Sequence, residues 1–207
     1  MVRVVLHVDV DAFYAQAEEI LHPEWAGHAV AVVQPRSQSL IAVNYAARAL
    51  GIGRHDSVKE ATLKARTAGT TLHLPDARMN VYRQQSEGIM RVLGSCGATM
   101  QKASVDECYL DATTLCEQRV CHLRENFPSE EHCWWQPWVE VTDEEQGGGW
   151  GEIGVLASGQ CIDDARAAEL AMHSPEDVLL LQGALLTAGL RRRIRQELGY
   201  TTSGGIA

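Results

Sequence analysis

The chain has 207 residues, a hydrophobic fraction of 45% and a formal net charge of −9 at pH 7. That composition suits one large globular domain or two small ones, and no run approaches the roughly 20 apolar residues of a membrane span, so no membrane association is expected. The acidic balance weighs against a phosphate-binding surface, although an acidic cation site would account for part of it.

The opening MVRVVLHVDVDAFY has no small-residue cleavage site and carries acids within its apolar run. It reads as a buried strand over residues 3–9 and not as a secretory signal. AFYAQAEEILH then places Phe13, Ala17, Ile20 and Leu21 at helical spacing, with Pro23 as the stop. HAVAVVQ (28–34) and LIAVN (40–44) are strand candidates. YAARAL is a short helix closed by Gly51, and SVKEATLKAR a second helix with Ser57 as cap and Glu60 completing a capping box. Residues 78–93 put Met79, Tyr82, Ser86, Ile89, Met90 and Leu93 on one helical face.

ATMQKASVDECYLDAT (98–113) reads as two strands around a tight turn, with Asp106-Glu107 at or near its tip. A helix over 114–126 follows, with Leu115, Val120 and Leu123 as core positions. Segment 127–160, with Trp134, Trp135, Trp138, Trp150, a triple glycine and the acidic TDEEQ, breaks the pattern and is expected to be an insertion or linker. SPEDVLLLQGALLTAGLRRRIRQEL then starts a helix at Ser174, Pro175 and Glu176. Arg191, Arg192, Arg193 and Arg195 crowd its last turns, where they suit the helix dipole.

Six irregularly spaced cysteines (Cys96, Cys108, Cys116, Cys121, Cys133, Cys161) suggest reduced thiols rather than a disulfide framework. Cys116, Cys121, His122, His132 and Cys133 lack a CxxC, and His132 adjoins Cys133, so their spacing does not match a zinc motif.

The carboxylates carry the chemistry. VVLHVD and KASVDE each drive an acid out of an apolar strand. Nucleotidyl transfer uses a pair of divalent ions roughly 3.5–4 Å apart. Mg²⁺ takes hard oxygen ligands, a few of them carboxylates and the rest water and phosphate. If the first strand and the hairpin neighbour each other in one sheet, Asp9, Asp106 and Glu107 meet there. Acids at strand ends and turns are otherwise commonplace and solvated.

Four segments, in order, resemble the Y-family of translesion DNA polymerases. HVDVDAFYAQAEE is similar to that family's opening, VNYAARALGIGR to its fingers segment, ASVDECYLDAT to its S-[IV]-DE-x-[YF]-[LV]-D hairpin, and LRRRIRQELGYTTSGGIA to its helix and strand ending in SAGIA. AVVQ, the GIGR turn and the 183–207 stretch resemble the eta branch. The resemblance implies an α/β (α+β) fold. Its parts would be a polymerase palm with an antiparallel-rich sheet backed by helices, a small fingers subdomain, and no thumb or little finger. The implied division is palm over 1–33, fingers over 34–77, palm over 78–126, an insertion over 127–160 and further palm over 161–207.

By the same resemblance Asp9, Asp106 and Glu107 are catalytic metal-binding carboxylates, and the Val10 carbonyl is a further ligand. Two Mg²⁺ ions would be held, with Mn²⁺ as a substitute. For dNTP binding, Tyr14 would be the gate against a ribose 2′-OH and Phe13 would pack under the sugar. Tyr45 and Arg48 would hold the triphosphate, Arg54 would lie over the incoming base, and Gln34 would touch the templating base. Asp11 would be structural. The implied partners are primer–template DNA and a dNTP, with a replication clamp engaged through regions outside this chain, and the implied location is the nucleus. The family's triphosphate lysine, thumb and little finger would follow Ala207, so the 207 residues are expected to bind DNA weakly and to polymerise poorly or not at all alone.

Three other readings compete. Asp9-Val10-Asp11 mimics the DxD of haloacid-dehalogenase-like phosphohydrolases, but Phe13 stands where they need Thr or Val. A palm-fold nucleotidyl cyclase conflicts with Tyr14 as a ribose gate. A non-catalytic remnant or interaction module that retains the metal site is the third.

Overall fold

The computed structural model describes residues 2–37, 39–126 and 175–207. The segment read above as an insertion, with its tryptophans, His132, Cys133 and Cys161, lies outside the described residues, as does Ser174. Two compact units divide the chain: Met1–Asp9 with Ile89–Ala207, and Val10–Gly88.

The first unit is built on a four-stranded sheet of order β5-β6-β1-β7. Its strands are β1 (Val5–Val10), β5 (Thr99–Lys102), β6 (Glu107–Asp111) and β7 (Thr202–Ile206). β6 pairs antiparallel with both β1 and β5. Val5 and Ala207 exchange both backbone hydrogen bonds, at 2.7 and 3.0 Å, which is the antiparallel pattern. The buried side chains alternate as the sequence pattern requires: Leu6 and Val8 on β1, and Cys108 and Leu110 on β6, all turn inward. Helices α5 (Thr113–Asn126) and α6 (Pro175–Leu198) complete this unit, together with the second part of α4 (Met79–Gly94).

Helix α6 opens with Pro175, Glu176 and Asp177 in its first turn, where a missing N–H and negative charge are both favoured. At its other end Arg195 donates to the Gly199 carbonyl at 2.9 Å, and Arg193 bridges to Glu197 and to Ser95 Oγ. Arg191 reaches the Thr202 carbonyl at 2.8 Å and ties the helix to β7. Arg191, Arg193 and Arg195 thus serve the helix end and the adjoining strand. Gly183 permits the close approach of α6, since a Cβ there would lie 2.5 Å from Val4 Cγ1.

The second unit holds a three-stranded sheet of order β3-β2-β4, from β2 (Ala29–Val33), β3 (Leu40–Val43) and β4 (Leu72–His73). β2 pairs antiparallel with β3 and parallel with β4. Around it lie α1 (Phe13–Leu21), α2 (Tyr45–Ala49), α3 (Val58–Thr67) and the start of α4. Ala31, Val33, Val43, Ile52 and Ala61 are among the residues of its core. The Ser57–Glu60 capping box forms as read, with Ser57 Oγ accepting from the Glu60 N–H and the Glu60 carboxylate accepting from the Ser57 N–H.

Three details differ from the sequence reading. Met79 is 38% exposed rather than core, because it stands at the first turn of α4. Strand β4 has only two residues and no periodicity to betray it. Glu107 is the first residue of β6 and not part of the turn, whose residues are 103–106.

Candidate active site

Alternation on β1 and β6 decides which side chains share the face away from the core. His7 and Asp9 lie there on β1, and Glu107, Tyr109 and Asp111 on β6. The register sets Asp9 opposite Glu107, His7 opposite Tyr109 and Val5 opposite Asp111. Residues about a hundred positions apart are therefore cross-strand neighbours, since β1 and the hairpin lie in one sheet.

Glu107 is about one-third exposed, at 34%. Its Oε1 meets His7 Nε2 at 2.7 Å and accepts from the Tyr109 hydroxyl at 3.3 Å. The His7 ring stacks on Tyr109 with centroids 4.6 Å apart. The Glu107 charge, with lesser help from burial and that hydrogen bond, pushes the Tyr109 hydroxyl above its ordinary range. Asp106 sits in the preceding turn, where Ser104 Oγ donates to its Oδ1 at 2.5 Å and accepts from its N–H at 3.2 Å. Among the described residues no group of three or more His, Cys, Asp or Glu side chains is close enough to hold a metal ion. Asp9 and Glu107, opposed across the ladder, offer hard oxygen donors of the kind a divalent cation takes when water and phosphate complete its shell.

Within the second unit the chain leaves β1 through Asp11 and Ala12. Ala12 adopts φ 45° and ψ 44°, a left-handed conformation that costs an alanine about 1–2 kcal/mol. The turn is held by Ala15 N–H on the Ala12 carbonyl at 2.8 Å and by Gln16 Nε2 on the Asp11 carbonyl. It delivers Phe13 and Tyr14 as the first residues of α1. Phe13 is buried at 2% exposure, and Tyr14 is half-buried with its ring 4.5 Å from that of Tyr82.

Tyr45 and Arg48 come together on α2. The Arg48 guanidinium lies 4.9 Å over the Tyr45 ring, and its Nε donates to the Val43 carbonyl at 2.9 Å. Tyr45 is 62% exposed, so this cation–aromatic pair faces solvent. Arg54 and Gln34 are also exposed, Gln34 just after β2 and Arg54 in the turn before α3.

Two side chains in contact with these residues escape a reading of the sequence. His7 stands two residues before Asp9, and that strand parity was the available signal for a shared face. Glu18, buried on α1, carried no signal beyond its helical spacing from Tyr14. Of the cysteines, Cys116 is buried on α5 and burial pushes its thiol up to about 12.

The impB/mucB/samB family profile matches residues 8–207. DNA polymerase eta of Drosophila melanogaster is 31% identical over 99% of this chain and 24% of its own length. DNA polymerase eta of Arabidopsis thaliana is likewise 31% identical, over 99% of this chain and 30% of its own. The chain thus spans about a quarter of the length of these curated relatives. A solved structure described as "Dbh Ternary Complex (substrates partially disordered)" shares the fold, with a TM-score of 0.62 and 21% identity over 99% of this chain and 41% of that one. With the profile matched along almost its entire length and eta polymerases among its relatives, this chain belongs to the impB/mucB/samB family of Y-family DNA polymerase domains.

Proposed function

We propose that the chain is the palm-and-fingers part of an eta-type DNA-directed DNA polymerase that inserts dNTPs opposite damaged template. The observation that carries this reading is the direct pairing of Asp9 with Glu107 in a chain of this family. In the proposal Asp9, Asp106, Glu107 and the Val10 carbonyl hold two Mg²⁺ ions, or Mn²⁺ in their place. Ions bound there would polarise the attacking primer 3′-OH and neutralise the triphosphate.

The remaining roles fall to the second unit, residue by residue. Arg48 and Tyr45 take the triphosphate oxygens, and the solvent-facing position of both supports that role. Tyr14 bars the 2′-OH of a ribonucleotide, and Phe13 packs under the sugar. Arg54 covers the incoming base, and Gln34 meets the template base. The palm takes in residues 1–33, 78–126 and 161–207, and the fingers residues 34–77. Primer–template DNA is the partner, a replication clamp would be engaged through sequence outside this chain, and the likeness to eta polymerases supports a nuclear location.

Primer extension by the purified chain, opposite an undamaged and a thymine-dimer template with Mg²⁺, tests the proposal beside a Glu107→Ala control. Slow extension that the control abolishes is the expected result. Metal-dependent dNTP binding without extension favours the alternative of a retained site without turnover. Absence of both extension and metal-dependent dNTP binding overturns the polymerase reading.

A further inference from the structure

Glu18 is a carboxylate with no exposed surface, one helical turn after Tyr14 on α1. Three donors reach it from the start of α4 and the segment before it. Arg78 donates from Nε at 3.1 Å and from Nη2, and the Tyr82 hydroxyl donates at 2.7 Å to Oε1. Tyr82 is itself fully buried. Its ring stacks on Tyr14 with centroids 4.5 Å apart and planes at 22°, and stands edge-on to Phe13 at 6.4 Å. All these residues belong to the Val10–Gly88 unit.

Burying an ionised carboxylate is costly, and a well-packed apolar side chain often replaces a buried ion pair without loss of stability. What an apolar residue at position 18 would not supply is a fixed anchor for the Tyr82 hydroxyl. Held at its ring by packing and at its oxygen by Glu18, Tyr82 can neither slide along nor tilt away from Tyr14. Burial, and then the hydrogen bond to Glu18, pushes the Tyr82 hydroxyl above its ordinary range, so it stays a donor at every physiological pH. A ring that excludes one hydroxyl group has to be held to a fraction of an ångström, because a retreat of that size opens room for the group.

We propose that Glu18 is a positioning residue for sugar discrimination: through the Tyr82 hydroxyl it fixes the ring that backs Tyr14, and so prevents Tyr14 from yielding to a ribose 2′-OH. This rests on the reading of Tyr14 as the sugar gate. Glu18 and Tyr82 need not touch the nucleotide, and they act through Tyr14.

The test is equilibrium binding of dATP and ATP to the 207-residue chain with Mg²⁺ and a dideoxy-terminated primer–template. Tyr82→Phe keeps the ring and removes only the anchor, and it should cut the preference for dATP on the order of tenfold, chiefly by tighter ATP binding. Tyr82→Leu should reduce the preference at least as far. Arg78→Lys disturbs the same buried carboxylate but spares the Tyr82 bond, and it should lower the melting temperature while leaving the preference unchanged.

A preference that Tyr14→Ala abolishes but Tyr82→Phe leaves intact overturns the inference while the gate reading stands. Equal weakening of both nucleotides in Tyr82→Phe makes the network a structural tie only, and also overturns it. A wild-type chain that binds dATP and ATP alike removes the gate reading itself, and the inference with it.

Discussion

Asp9 and Glu107 are directly opposed across the β1–β6 ladder, on the face away from the core. Like charges at such positions destabilise a sheet unless a cation lies between them. Mn²⁺ or Mg²⁺ should therefore raise the melting temperature of the wild-type chain, by the equivalent of about 2.7 kcal/mol at a hundred times Kd. Asp9→Asn should melt at or above the wild-type temperature in EDTA and gain almost nothing from the metal. Circular-dichroism melts with and without metal check this, and an equal metal-induced shift in both proteins would place the ion elsewhere.

What the sequence disclosed depended on how local each cause was. The capping box at Ser57 and Glu60 spans three residues and was legible from the sequence. The alternation over residues 3–9 that turns Leu6 and Val8 inward was legible too, whereas Glu107, read at or near the hairpin tip, shows its face only once β6 is seen to begin with it. That Asp9 and Glu107 share one face is a matter of topology, which only the motif order hinted at. Glu18 was opaque, because helix acids are usually solvated and its partners Arg78 and Tyr82 stand 60 and 64 residues away. The left-handed Ala12 was opaque too, since nothing in an alanine announces a positive φ. The two-residue β4 exists only because β2 pairs with it.

Asp111 should make the first unit acid-sensitive. The Thr113 hydroxyl, then Arg3 at 2.7 Å and the Thr113 N–H, pull its carboxyl down to about 2. A depressed acid contributes stability above its unfolded pKa of about 3.9 and loses it as pH falls through the folded value. Wild-type stability should therefore decline between pH 4 and pH 2 more steeply than that of Asp111→Asn. Denaturant midpoints at pH 5, 4, 3 and 2 would show it, and parallel curves would mean that Asp111 contributes nothing.

Asn44 is buried and uses its whole amide group. Its Oδ1 accepts from the Val30 and Ala47 N–H groups, and its Nδ2 donates to Glu19 Oε1 and the His28 carbonyl. Asn44→Ala removes the α2 cap and strands buried backbone groups, so a loss of about 2–4 kcal/mol is expected in urea denaturation. Asn44→Asp keeps the cap but turns both donated bonds into oxygen–oxygen contacts. Burial already raises the Glu19 carboxyl against the lowering effect of the Asn44 bond, and a second acid would raise it further. The deficit of Asn44→Asp relative to wild type should thus shrink from pH 8 to pH 5, as one proton comes to be shared. A deficit independent of pH would show that Glu19 is not the group responsible.

Gly183 lies inside α6, where alanine is intrinsically the better helix former by about 1 kcal/mol. The packing opposes that gain. A Cβ would sit 2.5 Å from Val4 Cγ1 and 3.3 Å from both Leu6 Cδ2 and Ile206 Cγ2, and the β-branched Val4 has no easy rotamer into which to retreat. Overpacking of this kind costs about 1–3 kcal/mol, so Gly183→Ala should be net destabilising by about 1 kcal/mol or more in spite of its helix propensity. Val4→Ala in the same chain removes the obstructing methyls. A double-mutant cycle should then return a favourable coupling of at least ~0.5 kcal/mol, whereas simple additivity would show that α6 relaxes freely. Because Val4 leads directly into β1, the strain falls on the strand that carries Asp9. The metal-induced rise in melting temperature should accordingly shrink in Gly183→Ala and recover in the double variant, a response that loss of helix stability alone would not produce.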